Sequence, residues 1–466
     1  MAINELPDEV LLEIFGFYTA NPLPRRSYED DAWRTLVHVC RRWRYIVFGS
    51  PRRLDLRFLC VNKRLTKTLD IWPELPIVIH VGHGVEIRDL PSVTNIISVL
   101  QLHDRVCKIH ICGVPNSLLE ELATMSEPFP ALIELELVSA EEDPPIFPDS
   151  FLGGSVPSLR LLDLCSIPFP GIRKLLLSTR DLVTLSLELI PYSGYISPES
   201  LVATLSALTR LKSLRLSFDN PEFWAHGASQ RAPALTRVVL PALTNFDVSG
   251  SSEHLGDIVS RIDAPLDCID VTLAFYYQVQ PVFDFPLLRD FIGRTKILDA
   301  PHRADASFSN IEAKISLFQR KGDVDFNVLN VGILCDTYRS QLSLLAQACN
   351  SLFPPLPSLE HLRIHKSGRL SSGWQYAVEN SQWMELLRPF ITAKDLVLDE
   401  AFVSSVASAL QELVGEQVTE ILPALQTIFL ESCQSSGPVP EGIVKFIAAR
   451  ELSGRPVVMC HRERKP

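Results

Sequence analysis

The chain has 466 residues and a formal net charge of −11, and hydrophobic residues make up 46% of it. This length allows two or three ordinary domains, or one extended repeat architecture with a small attachment. An acidic chain with a pI of about 5.5 is not typical of a general nucleic-acid binder, so we expect no nucleic-acid partner. No apolar run approaches the roughly 18 residues that cross a bilayer, and we expect neither a membrane partner nor a secretory leader.

The first sixty residues predict two short amphipathic helices. In LPDEVLLEIFGFY, Pro7 suits a first helical turn, and Asp8 and Glu9 lie where the helix dipole favours negative charge. Apolar residues then follow at helical spacing: Val10, Leu11, Ile14 and Phe15. The second helix has one apolar face, made by Leu36, Val39, Cys40, Trp43, Ile46 and Val47. So small a module cannot bury all of this surface, so the helices either cap the next domain or dock into a partner's groove.

A six-residue pattern, apolar-x-x-apolar-x-apolar, recurs through the rest of the chain. Its alternating apolar residues predict a short strand with one buried face. About a dozen copies, spaced by roughly 23 to 34 residues, indicate a repeat architecture. The copies begin at Val106, Leu132, Leu159, Leu182, Leu211, Leu243, Leu266, Phe326, Leu359, Ala393 and Leu425, and a degraded copy is expected between Phe291 and Leu298.

Helix signals lie between the copies. In SPESLVATLSAL, Ser197 is a candidate N-cap and Pro198 occupies the first helical position. Similar segments are SSEHLGDIVSRI, TYRSQLSLLAQACNSL, NSQWMELLRPF and FVSSVASALQELV, and EGIVKFIAAR with RPVVMC predicts a closing helix and strand. Strand and helix at this period predict an α/β solenoid of irregular leucine-rich repeats. The alternative is an ordinary α/β sheet with leucine-rich strands.

These patterns divide the chain into three parts. Residues 1–60 are the small helical module, residues 61–105 are a connecting segment, and residues 106–466 are the repeat domain with its C-terminal cap. Ten cysteines are scattered without a C-x-x-C pair, mostly in apolar segments such as KIHICGV. Buried thiols in a reducing compartment explain this best, so we expect a cytoplasmic or nuclear protein without a metal or other cofactor.

The order LPDEVLLEIF, a loop and LVHVCRRWR resembles the F-box, a short adaptor-binding motif with Leu-Pro, an Ile-containing helix and Val-Cys-x-x-Trp. The matching residues are Leu6, Pro7, Ile14, Leu36, Val39, Cys40 and Trp43. The connector YTANPLPRRSYEDDAW is longer than the usual link between the first two helices. Segments such as FGSPRRLDL and SGYISPES further resemble fungal F-box proteins with degenerate leucine-rich repeats.

The resemblance implies a substrate-recognition subunit of a cullin-RING (SCF-type) ubiquitin ligase. The F-box would dock on the Skp adaptor, the adaptor would bind the cullin, and the repeats would bind the protein to be ubiquitinated. The adaptor-binding residues would be Leu6, Pro7, Val10, Leu11, Ile14, Phe15, Leu36, Val39, Cys40 and Trp43. Such a receptor is not an enzyme, and the chain lacks G-x-x-x-x-G-K-[ST], H-E-x-x-H and G-x-S-x-G. The alternatives are a repeat scaffold outside any ligase and an enzyme with an unrecognised site.

The strand residues between the buried apolar positions point to the opposite face, where repeat proteins usually recognise partners. Its acidic members are Glu134, Glu136, Asp163, Glu188, Asp247, Asp270, Asp395, Asp399 and Glu431. Its basic members are Lys108, Arg215 and Arg363, with His110, His361 and His365 near neutral. We therefore expect a substrate with a basic segment, and the lack of an arginine cluster disfavours a phosphorylated one. The alternative is that these acids only keep the protein soluble.

Overall fold

A computed structural model of the chain describes residues 6–20, 32–51, 54, 56, 58–60, 74–81, 90–218, 237–250, 252–263, 265, 270–276, 286–295, 298–335, 340–370, 374, 378–413, 415, 417–432 and 439–463. The chain divides into two compact units, Met1–Ile196 and Ser197–Pro466. Within the described residues, no helix has both the length and the apolar character of a membrane span.

The N-terminal module consists of three helices: α1 (Asp8–Ala20), α2 (Ala32–Val39) and α3 (Arg41–Gly49). The first predicted helix is confirmed, but the second is two helices that meet at Cys40. Cys40 has extended backbone angles, and its Sγ accepts a hydrogen bond from the Trp43 backbone N at 3.4 Å, which caps α3. The long connector lies mostly outside the described residues, at 21–31. The module's core is made by Leu11, Phe15, Trp33, Leu36, Val37, Ile46 and Val47.

Among its described residues, the rest of the first unit consists of six strands with three α-helices between them. Its strands are β1 (Phe58–Cys60), β2 (Ile77–Val81), β3 (Val106–Val114), β4 (Glu134–Ser139), β5 (Leu161–Cys165) and β6 (Thr184–Ile190), and its helices are α4 (Leu90–Leu100), α5 (Asn116–Thr124) and α6 (Ile172–Ser178). Each strand pairs in parallel with the next in chain order. Two neighbouring parallel strands can be joined only by a crossover connection. The chain between successive strands must therefore cross one face of the sheet. The segment 61–105 contains β2 and α4, which follow the same strand and helix order.

The apolar positions of successive repeat copies stack on one another across neighbouring strands. Leu135, Leu162 and Leu185 lie opposite one another on β4, β5 and β6, and all are fully buried. The apolar residue that opens each copy, such as Leu132 or Leu159, precedes the strand and is also fully buried. Burying a leucine stabilises a fold by about 1.5–3 kcal/mol, so each copy adds a layer to one continuous core. The predicted α/β repeat fold after a small helical module is confirmed.

The second unit has strands β7 (Ser213–Phe218), β8 (Val238–Val239), β9 (Asn245–Gly250), β10 (Ile262–Asp263), β11 (Asp270–Tyr276), β12 (Arg303–Phe308), β13 (Glu312–Lys321), β14 (Val324–Leu334), β15 (His361–Lys366), β16 (Asp395–Asp399), β17 (Thr427–Ser432) and β18 (Val458–Glu463). Its helices are α7 (Pro198–Leu205), α8 (Ser252–Ser260), α9 (Pro286–Arg294), α10 (Gln341–Leu352), α11 (Asn380–Leu387), α12 (Glu400–Gln411), α13 (Gln417–Glu420) and α14 (Glu441–Leu452). The main sheet has the order β7-β9-β11-β14-β13-β12-β15-β16-β17-β18, and β8 pairs with β10.

The predicted helices of this unit are confirmed. Ser197 caps α7, since its hydroxyl accepts a hydrogen bond from the Ser200 backbone N at 3.2 Å and Pro198 follows at the first position. The degraded repeat expected between Phe291 and Leu298 is wrong, because Phe291 lies in α9. Leu288, Phe291 and Ile292 are all buried at helical spacing, so the segment follows a period of 3.6 residues and not of two.

One strand, β13, runs antiparallel to the other strands of the main sheet in the second unit. The copy beginning at Phe326 lies in β14, which is parallel to β11 but antiparallel to β13. β13 is in turn antiparallel to β12, and β12 is parallel to β15. The turn between β13 and β14 has two residues, and Gly322 has a φ of 66° there. Sequence analysis missed β12 and β13, although K-G-D between alternating segments is a hairpin signal.

Candidate partner-binding surfaces

Helix α1 has two apolar faces, only one of which is covered. Leu11 and Phe15 are fully buried against α2 and α3. The other face exposes four large side chains by 41–71%, at helical spacing: Val10, Ile14, Phe17 and Tyr18. We call these four residues the α1 stripe. Exposed apolar residues that line up along one helix are typical of a helix that docks into a groove.

The start of α1 is tied to α3 by an arginine. Arg42 Nη2 donates to Asp8 Oδ1 and to the Leu6 carbonyl oxygen, both at 2.6 Å. Behind the stripe, the rings of Phe15 and Trp43 lie 4.7 Å apart. These contacts hold α1 in place, so Trp43 supports the surface from within.

The structure separates the predicted adaptor-binding residues by exposure. Leu11, Phe15 and Leu36 are buried; Pro7, Val10, Ile14 and Val39 are exposed; and Leu6, Cys40 and Trp43 are partly buried. Sequence analysis missed three exposed aromatic residues, namely Phe17, Tyr18 and Tyr45. Phe17 and Tyr18 follow Val10 and Ile14 at i+7 and i+8 of the same helical spacing, and this spacing was the signal that could have identified them.

The open face of each sheet is the one that carries the residues between the buried leucines. On the open face of the first unit, Glu134 forms an ion pair with Lys108, and its Oε2 lies 3.0 Å from His110 Nε2. His110 Nδ1 lies 3.4 Å from Glu136 Oε2. Burial raises the pKa of Glu134, but Lys108 and His110 outweigh burial and lower it overall.

The other acids of this open face lie side by side. Glu136 is opposite Asp163 on the neighbouring strand, and Glu188 is opposite Cys165. Ser186 donates a hydrogen bond to Glu188 at 3.0 Å. Together the described side chains on this face include four carboxylates and one lysine, a net charge of −3 with neutral histidines. The structure therefore brings together four of the nine predicted acids.

Replacing Glu134 with Gln is expected to lower the free energy of unfolding by about 0.5 kcal/mol at neutral pH, because the pair is partly exposed. The carboxyl pKa is lower in the folded than in the unfolded chain. The contribution of the Glu134 carboxylate to the free energy of unfolding is therefore present above the pKa of a free glutamate. It is lost as the pH falls through the pKa of Glu134 in the folded chain. Urea unfolding at neutral and at acid pH checks this: the difference from wild type should vanish in acid. The same change at Glu120, exposed on α5, should have no effect, and a Glu134 effect that persists in acid would contradict the assignment.

Acids on the open face of the second unit have individual partners. Asp247 pairs with Arg215 at 3.3 Å. Asp395 Oδ2 lies 2.8 Å from His361 Nδ1, and Glu431 Oε2 pairs with Arg363 Nη2 at 2.7 Å. Asp270 begins β11, but its side chain lies outside the described part of the structure.

Asp399 is 4% exposed and caps α12, where its Oδ1 accepts from the Ala401 backbone N at 3.1 Å. A substitution of Asp399 would therefore act on the stability of α12 before it acted on a partner. The acidic excess on the described open faces thus belongs to the first unit.

Comparison with known proteins identifies a family match in the N-terminal part of the chain. The F-box-like family model matches residues 3–56, and no curated protein matches the chain. Among solved structures, the chain is similar to the leucine-rich repeat-containing protein LegL7 from Legionella pneumophila, with 15% sequence identity and a TM-score of 0.27 over 75% of this chain and 97% of that one. Residues 3–56, which include α1, α2 and α3, are an F-box-like domain.

Proposed function

We propose that this protein is the substrate-recognition subunit of an SCF-type ubiquitin ligase. The α1 stripe carries the proposal, because it is an apolar helix face left open within an F-box-like domain. An apolar helix face of this kind fits a hydrophobic groove on a partner. In this proposal that partner is the Skp adaptor, and Val39 and Tyr45, exposed by 55% and 79%, extend the contact.

The proposed role needs no catalytic residue in this chain. The adaptor would bind the cullin, and the repeats would bind the protein to be ubiquitinated. Holding a substrate lysine near a charged ubiquitin carrier raises its effective concentration, and this proximity supplies the receptor's contribution to the rate. We place the protein in the cytosol or nucleus, and among the fungal F-box proteins on the sequence resemblance of the segments after the F-box.

The test is to co-express the full chain with a Skp adaptor and to measure their co-elution by size-exclusion chromatography. A stable one-to-one complex that also binds the cullin is the expected result. A chain that elutes without the adaptor would reject the ligase role and favour a repeat scaffold.

We further propose that the acidic open face of the first unit binds a basic segment of the substrate. Glu136, Asp163 and Glu188 support this, since they lie on three adjacent strands and outnumber the single lysine on this face. A surface of one sign raises the association rate of a partner with the opposite sign. The ion-paired acids of the second unit add little to such an attraction.

Reversing the charge of Glu136 and Asp163 together, by substitution with Lys, is expected to weaken binding of a fluorescein-labelled octalysine peptide by roughly fivefold at low salt. Fluorescence anisotropy at about 50 mM and 200 mM salt measures this, and added salt should reduce the difference. The matched control reverses Glu120 and Glu121, which are exposed on α5 in the same unit. Equal weakening by both double variants would mean that only net charge matters and that the acids serve solubility.

A further inference from the structure

A trough runs along β12 on the open face of the second unit. The side chains of β12 on this face are short: Asp305, Ser307 and, just beyond the strand, Ser309. Longer side chains from β13 and β15 rise on either side, and the trough has a volume of about 400 Å³. A groove of this size accommodates a partner's side chain.

Three polar residues form one row across the trough. Lys314 on β13 is opposite Ser307 on β12, and Ser307 is opposite His365 on β15. Neighbouring strands are about 4.8 Å apart, so Lys314 and His365 stand on the two walls with Ser307 on the floor between them.

The donors of this row are available to a ligand. Ser307 is 7% exposed, yet its hydroxyl has no hydrogen-bond partner among the described residues. Lys314 forms no ion pair in that part of the chain either. This hydroxyl lines the trough, so it can donate a hydrogen bond to an oxygen of a ligand that enters there.

The carboxylates near the row are turned away or neutralised. Asp305 Oδ1 accepts a hydrogen bond from Arg303 Nε at 3.0 Å, and burial raises the pKa of Asp305 against the opposing effects of Arg303, His365 and Arg363. Glu312 leans across β14, because its Oε1 lies 2.7 Å from where a Cβ on Gly332 would stand. Both acids line the trough, but Asp305 has Arg303 as its partner and the Glu312 carboxylate lies over β14, two strands from Ser307.

We infer that this trough binds an anionic side chain of the partner protein, either a carboxylate or a phosphoryl group. Ser307 and Lys314 donate hydrogen bonds to its oxygens, and His365 closes the opposite wall. The inference rests on the proposed role of the sheet in binding a substrate, and it adds an acidic or phosphorylated residue to the basic segment proposed for the first unit. The sequence disfavoured a phosphorylated partner because this face lacks an arginine cluster. Ser307 and Lys314 lie on β12 and β13, which the repeat pattern did not predict.

The test uses the full chain and three fluorescein-labelled peptides of glycine and alanine that differ only in a central phosphoserine, glutamate or glutamine. We expect at least one of the two anionic peptides to bind roughly tenfold more tightly than the glutamine peptide. Lys314→Gln and Ser307→Ala should each remove most of this preference. Lys321→Gln is the matched control, because Lys321 is exposed at the end of the same strand, and thermal unfolding verifies that each variant is folded.

The comparison between peptides identifies the source of the anion. Preference for phosphoserine alone indicates a phosphorylated substrate, and preference for both anions indicates an acidic one. Equal binding of all three peptides, no binding of any, or an equal loss in Lys321→Gln would overturn the inference. Adaptor co-elution does not depend on Lys314, so a failed peptide test leaves the ligase proposal standing. Conversely, a chain that binds the anionic peptides but forms no adaptor complex rejects only the ligase proposal.

Discussion

Replacing Ile14 and Phe17 together with alanine is expected to weaken binding to the Skp adaptor by roughly thirtyfold or more. Truncating an anchor at a protein interface typically costs about 2 kcal/mol, and this variant removes two adjacent members of the α1 stripe. Both side chains are largely exposed, Ile14 by 41% and Phe17 by 71%, so the fold should be unchanged. Isothermal titration calorimetry of the purified proteins measures the affinity, and circular dichroism verifies the helices.

A matched control and a contrasting variant sharpen this test. Val444→Ala removes an equally exposed apolar side chain, 53% exposed on α14, and should leave adaptor binding unchanged. Trp43→Ala should weaken binding too, but Trp43 packs against Phe15 in the module's interior, so its effect would mix folding with contact. Unchanged affinity of the Ile14 and Phe17 double variant would exclude the α1 stripe from the interface.

The sequence could not show which apolar residues of α1 are buried. Val10 and Leu11 are neighbours, as are Ile14 and Phe15, and both pairs fit a helical stripe. The packing of α2 and α3 decides between them, covering Leu11 and Phe15 and leaving Val10 and Ile14 open. Periodicity identifies a helix and its apolar residues. It does not show which of two adjacent apolar faces is buried, because that depends on where the neighbouring helices pack.

The strands were predictable because each copy of the repeat marks its own strand. Leu135 and Leu137 of β4 alternate with partly buried residues, and the same alternation recurs on β5, where Leu162 and Leu164 are buried. The alternation within a strand does not reveal in which direction that strand runs, however. The reversal at β13 depends on the two-residue turn at Gly322, and the repeat pattern contains no sign of that turn.

The charge of the open face was harder to predict than its position. Alternation correctly placed Glu431 beside the buried residues of β17, but whether it is free depends on Arg363, two strands and 68 residues away. Asp399 satisfies the same alternation, yet the start of α12 directly after it makes it a cap. Charge inventories from single strands therefore overstate the free charge, because register and helix starts pair many of the acids.

The C-terminal repeat is closed by a buried arginine that the sequence analysis did not single out. Arg450 on α14 is completely buried. Its Nη1 donates to the Val418 carbonyl oxygen at 3.1 Å, and its Nη2 donates to that of Leu425 at 3.0 Å. Burial lowers the pKa of Arg450, but an arginine stays charged because its pKa starts far above neutral. One guanidinium thus satisfies a backbone carbonyl of α13 and one of the segment that leads to β17.

Replacing Arg450 with alanine is expected to reduce the free energy of unfolding by about 3–5 kcal/mol, because it leaves buried carbonyls without donors and opens a cavity. Lys445→Ala is the matched control: Lys445 lies on the same helix, is about half exposed, and forms only an i, i+4 pair with Glu441, which contributes about 0.2–0.5 kcal/mol. Arg450→Lys should fall between the two, since it keeps the charge but not the forked donors. Urea unfolding followed by tryptophan fluorescence, to which the buried Trp374 and Trp383 of this unit contribute, measures the differences. If Arg450→Ala unfolds like Lys445→Ala, water replaces the guanidinium at these carbonyls and the closing helix is held by its apolar contacts alone.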